Sequence, residues 1–288
     1  MTRARNVADV IKQPFTQTLG TSNYRAGVNA GNSIASGGNY NVTVGDEAGT
    51  ALTDADGNVA VGYLALSTDT KGSYSVAIGR RALLTQNFTT STDALNVAVG
   101  TNAGAAVTTG TNNTLIGTSS GDALTDADYN VALGSFALSA DTLGSKSVAI
   151  GYTALSVQNF TTATDTYNTA VGYNAGTAVT TGVNNTLIGG LAGDALTTGS
   201  DNDAIGVSTL STETAGNKST AIGRGALNAQ NNSTSTDVYN VAVGYLAGLS
   251  VTTGIQNTLI GGLAGDALTD ADYNVAVGMG SLGANTVG

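Results

Sequence analysis

The feature that most limits what this chain can become is a ruler of glycines. The pentapeptide NTLIG stands at residues 113–117, 185–189 and 257–261, each copy 72 residues after the last. It is one variant of a commoner word, Asn-(Val/Thr)-Ala-(Val/Ile)-Gly, written NVAVG at 58, 96, 240 and 274 and SVAIG at 75 and 147. The closing glycines are Gly45, Gly62, Gly79, Gly100, Gly117, Gly134, Gly151, Gly172, Gly189, Gly206, Gly223, Gly244, Gly261 and Gly278. Their spacings run 17, 17, 21, 17 and then repeat, so four units make one 72-residue super-repeat. A degenerate unit, NYRAG ending at Gly27, brings the count to fifteen. Self-similarity on a short fixed period marks a solenoid, because each unit is too small to bury a core alone and does so by stacking on its neighbours.

A second register agrees with the first. The residue three after each glycine is Ala in twelve units and Ser120, Thr209 or Ser281 in the others. The next position alternates in pairs, from Gly31 and Gly49 through Leu66 and Leu83 and onward to Leu282. Each unit therefore reads as a short β-branched segment, a glycine turn, a second short segment and a polar loop. That is one rung of a parallel β-solenoid, and the whole predicts an all-β fold of about fifteen rungs, a rod of roughly 70 Å at about 4.8 Å per rung.

The rung positions carry expectations. The branched aliphatic before each glycine (Val44, Val61, Ile78) and the Val or Thr two places back are read as the face that stacks in the core. The residue between them, Ala60, Ala77 or Leu115 for example, is read as a second apolar face. One chain would leave that Ala-rich face wet, and association about a threefold axis would cover it. The leading Asn41, Asn58, Asn96, Asn113 and Asn130 are expected to bond backbone at the turn and to stack as an amide ladder.

Composition narrows the function classes. The 288 residues include 40 Gly and no Cys, His or Trp, and the net charge is −10. Without cysteine there is no disulfide framework, so stability must come from packing or assembly. The acidic balance argues against a nucleic-acid partner. No run approaches the roughly 20 apolar residues of a membrane span, and MTRARNVADVIKQPF lacks the hydrophobic stretch of a secretory signal, so neither membrane insertion nor Sec-type export is expected.

Carboxylates that could serve a glycosidase are present, but they recur: Asp54, Asp126 and Asp270 at one register, Asp56, Asp128 and Asp272 at another, Asp93, Asp165 and Asp237 at a third. A unique catalytic site is not copied on the period of its scaffold, and a nucleophile triad needs a base that this sequence lacks. The chain is therefore expected not to be an enzyme and to need no cofactor. The loops TDADGN (53–58) and TDADYN (125–130 and 269–274) have alternating Asp as calcium loops do, but turn chemistry is the favoured reading because the equivalent TTGSDN keeps no Asp at its first two positions. The long unit of each super-repeat adds four residues, in TQNFTTSTDALN (85–96), VQNFTTATDTYN (157–168) and AQNNSTSTDVYN (229–240). Phe88, Phe160 and Asn232 in these loops could project as contacts or fold over a subunit boundary as a clasp, and the clasp is favoured because contact loops diverge whereas these repeat.

NVAVGYLAL, SVAIGRRAL and SVAIGYTAL resemble the head repeats of YadA-type trimeric autotransporter adhesins, over roughly residues 23–288. The loops here are longer than in those heads. The resemblance implies a left-handed parallel β-roll assembled as a homotrimer. Similar arrays occur in fibre proteins of tailed bacteriophages, and MTRARNVADV is similar to the start of many phage tail-fibre proteins, with Asn6 where Asp is usual. A secreted adhesin head would call for an export signal and a C-terminal barrel. The expected function is thus a structural virion fibre that meets the host cell surface, with a polysaccharide-degrading tailspike and an adhesin head as alternatives.

Residues 1–22 lack the rung pattern, hold the only proline, Pro14, and concentrate basic charge. They are expected to attach to another virion protein, with Arg3 and Arg5 pairing to acidic groups and Val7, Val10 and Ile11 forming an apolar stripe at helical spacing. At the other end, the last rung at 274–278 is expected to be covered over Val277 and Leu282 by a tip protein or by further fibre sequence.

Overall fold

The computed structural model describes residues 20–286. They form a β-solenoid in which every rung gives one strand to a long sheet, with no helix among the described residues. Fifteen three-residue strands lie side by side in a single parallel sheet: Tyr24–Ala26, Val42–Val44, Val59–Val61, Val76–Ile78, Val97–Val99, Thr114–Ile116, Val131–Leu133, Val148–Ile150, Thr169–Val171, Thr186–Ile188, Asp203–Ile205, Thr220–Ile222, Val241–Val243, Thr258–Ile260 and Val275–Val277. Equivalent residues pair throughout, Val59 with Val76 and Ala60 with Ala77 for example, so the 17- and 21-residue units share one register. The extra residues of each long unit add a small parallel bridge, pairing Gly72–Ser73 with Thr92–Asp93, Gly144–Ser145 with Thr164–Asp165 and Gly216–Asn217 with Thr236–Asp237.

The two faces of the strand are reversed from the expectation. The middle residue points into the solenoid: Ala60, Ala77, Ala98, Leu115 and Ala132 are fully buried. The flanking Val and Ile point outward, with Ile78, Leu133, Ile188 and Ile222 each more than a third exposed. Volume decides this, because a rung of 17 residues encloses a lumen with room for a methyl group at mid-strand and not for a column of branched side chains.

At mid-strand, leucine enters that lumen only where glycine makes space. A Cβ on Gly104 would lie 2.7 Å from Leu115 Cδ1, and one on Gly121 would lie 2.7 Å from Leu115 Cδ2. The leucine of each NTLIG therefore fills the room left by two glycines, and Leu187 and Leu259 do the same over Gly193 and Gly265. Where the fourth residue after the turn is Leu (Leu66, Leu83, Leu138, Leu155), it fills the lumen itself. Each fully buried leucine stabilises the rung by about 1.5–3 kcal/mol.

The second segment of the rung is a run of turns, not the strand the sequence suggested. Leu64 (φ 59°) and Leu66 (φ 49°), like their equivalents along the rod, adopt left-handed backbone conformations. Each such residue costs about 1–2 kcal/mol. Bonds between rungs offset the cost: Gly49 N–H to Ala65 O at 2.9 Å, Leu66 N–H to Ala82 O at 2.9 Å and Leu83 N–H to Ala103 O at 3.0 Å.

Candidate functional site

The most extensive candidate is the outward face of the long sheet. From Val42 to Val277 its two columns consist of Val, Thr, Ile and Leu, with one exception, Asp203. Tyrosines line its margins. All eleven tyrosines of the chain are at least about half exposed, from 48% for Tyr24 to 69% for Tyr273. One margin, two residues ahead of the strand, carries Tyr40, Tyr74, Tyr129, Tyr167, Tyr239 and Tyr273; the other, just past the turn glycine, carries Tyr63, Tyr152, Tyr173 and Tyr245.

These margins are ordered by stacking and by cations. Tyr152 lies parallel to Tyr173 with ring centroids 5.7 Å apart, and Phe136 meets Tyr152 edge-on at 6.2 Å. Lys146 sits 5.2 Å over the Tyr167 ring and bonds Asp165 at 2.5 Å; Lys218 repeats the arrangement with Tyr239 and Asp237. The hydrogen bond from Lys146 holds the Asp165 carboxyl below the usual aspartate range, and Lys218 does the same to Asp237. The recurrence of tyrosine two residues ahead of the strand is the signal in the sequence that marks these margins.

A second constellation lies inside the long units. Asp69, Gln86 and Asn96 are fully buried, with Gln86 Nε2 donating to Asp69 Oδ2 (2.6 Å) and to Ser75 Oγ (3.1 Å), and Asn96 Nδ2 donating to Gln86 Oε1 (2.9 Å). Backbone N–H groups of Gly72 and Phe88 donate to Asp69 Oδ1 at 3.0 and 3.1 Å. Asp141 with Gln158, and Glu213 with Gln230, form the second and third copies. The network joins consecutive amide ladders. Asn58 N–H donates to Asn41 Oδ1 and Ser75 N–H to Asn58 Oδ1, as the ladder expectation required; Gln86 then carries the connection across to Asn96.

The loop residues have structural partners. Phe88 and Phe160 are buried against their own chain, and a Cβ on Gly72 would lie 2.7 Å from Phe88 Cδ2. Asn232, where the others have Phe, donates to Glu213 Oε2 at 3.0 Å. The projecting part of the first long loop is instead Thr89, Thr90 and Ser91. Asp56, Asp128 and Asp272 accept the backbone N–H groups of Asn39, Thr111 and Ile255 at 2.6–2.7 Å, so each of these aspartates ties its loop to that of the preceding rung. No group of three or more acidic residues among the described residues is placed to hold a metal.

The turn glycines form one stacked column with φ between 122° and 146°, and each from Gly45 to Gly261 faces the carbonyl of the glycine in the next rung. Arg3, Arg5, Val7, Val10 and Ile11 lie outside the described residues. No helix among the described residues is long and apolar enough to cross a membrane. Comparison of the chain with protein-family models, curated proteins and solved structures finds no match.

Proposed function

We propose that this chain is the shaft subunit of a virion fibre of a tailed bacteriophage, three copies packing their sheet faces around a common axis into a left-handed β-roll rod. The observation that carries the reading is the long face of Val, Ile, Leu and Thr, broken by the single charge of Asp203 and bordered by half-exposed tyrosines. With its margins it measures roughly 70 Å by 17 Å, on the order of 1,100 Å², from ordinary strand spacings. A stable interface needs about 800 Å² per partner. An aliphatic strip of that size left in water would promote uncontrolled association, and closure about an axis removes it. In this reading residues 1–22 attach the rod to another virion protein, a tip protein covers the far end, and the rod spaces or presents contacts to the host cell surface.

Sedimentation of the purified chain tests the assembly. A trimer is expected, and the double substitution Ile188→Lys and Ile222→Lys should give monomers that keep the β-sheet circular dichroism spectrum. A wild-type monomer at all concentrations rejects the assembly. Incubation with host capsule or lipopolysaccharide tests the role: release of reducing ends would replace the structural reading with a polysaccharide-degrading spike.

A further inference from the structure

The sheet face contains one charge. Asp203 stands at a place where every other strand from Val42–Val44 to Val275–Val277 has Val or Thr. It pairs in register with Thr186 on one side and Thr220 on the other, and on its own strand Ile205 pairs with Ile188 and Ile222. Its side chain is exposed, and its carboxylate makes no hydrogen bond or ion pair among the described residues.

We propose that Asp203 makes self-association of this chain pH-dependent, by bringing the carboxylates of neighbouring copies to one level between strand columns that hold no other charge. The inference rests on the sheet-face assembly above and adds its regulation. Rotation about an axis parallel to the rod puts residue 203 of every copy at the same height. The neighbouring carboxylates then repel, and removal from water further disfavours their ionised form. Charged and titratable groups nearby do not neutralise them. On the rung before, Asn184 and Thr186 lead into the adjacent strand without charge. On its own rung, Asp201 adds a second acid and accepts a bond from Asn184 Nδ2 at 3.0 Å. On the rung after, Lys218 is engaged with Asp237 at 2.6 Å and with Tyr239 at 3.3 Å, and Arg224 lies beyond the strand with its guanidinium over Tyr245. Protonation of Asp203 therefore tightens the assembly.

Sedimentation velocity of the full chain between pH 8 and pH 5, above its isoelectric point of about 4.1, is the test. The wild type should associate more tightly as pH falls. Asp203→Asn should associate roughly tenfold or more tightly than wild type at pH 8, with a flattened pH response, while Asp203→Glu keeps the wild-type response. Circular dichroism confirms that each variant is folded. If the chain associates but Asp203→Asn follows the wild-type pH profile, or associates more weakly, this inference is overturned and the sheet-face assembly stands. If the chain is monomeric at every pH, both fall.

Discussion

Gln86 Nε2 lies 2.6 Å from Asp69 Oδ2, and both side chains are fully buried. The carboxylate is satisfied by amide and backbone donors, with no ion pair to it among the described residues. In the third copy the longer Glu213 reaches further and Asn232 replaces the phenylalanine, so acid length and the residue opposite change together. Asp69→Glu alone should therefore overpack against Phe88 and cost about 1–3 kcal/mol. Adding Phe88→Asn should recover much of that loss in a denaturant double-mutant cycle. Strict additivity would show that the two sites are independent.

The glycine column makes a sharper comparison. A Cβ at Gly117 would lie 2.5 Å from the Gly134 carbonyl oxygen, whereas at Gly278 it would meet nothing within 4 Å. Both have strongly positive φ, 137° and 123°. Gly117→Ala should combine backbone strain with a clash and cost about 3 kcal/mol or more, while Gly278→Ala should cost about 1–2 kcal/mol from strain alone. Equal shifts in the thermal midpoint would contradict the stacking.

Leu95 is 47% exposed and has φ 53°, a conformation that asparagine tolerates better than leucine. The equivalent places on other rungs hold Asn112 and Asn184. Leu95→Asn should raise stability by about 0.5–1 kcal/mol, read as a higher denaturant midpoint at unchanged slope. A lower midpoint would mean that the leucine side chain makes a contribution larger than the strain it carries.

Four aspartates should titrate in two directions. Hydrogen bonds from Lys146 and Lys218 lower Asp165 and Asp237, so their contribution is present above the unfolded value of about 3.9 and is lost as pH falls through the folded value. Burial raises Asp122 and Asp194, so their contribution is present below the unfolded value and is lost as pH rises through the folded one. Carbon-detected NMR should place the first pair below and the second pair above the ordinary aspartate midpoint. Lys146→Met should return Asp165 toward that midpoint, and an Asp165 unmoved by it would reject the cause.

The sequence by itself determined the rung. Glycine is required wherever a turn is stacked on the backbone of the next turn, so the run of turn glycines from Gly27 to the terminal Gly278 set the number of rungs, their register and the parallel sheet. The buried leading asparagines were equally legible, since an amide repeated at one register can satisfy the backbone of its neighbour. Which face of Val-Ala-Val looks inward was decided only by the closed rung. A three-residue strand has two apolar faces, and hydrophobicity alone favours burying Val and Ile. The lumen accepts Ala60 because it is narrow, and accepts Leu115 because Gly104 and Gly121 vacate the volume it needs. The same closure leaves Ile188 and Ile222 facing out, and it places Asp69 within reach of Gln86, 17 residues on, a contact that exists only once one rung lies on the next.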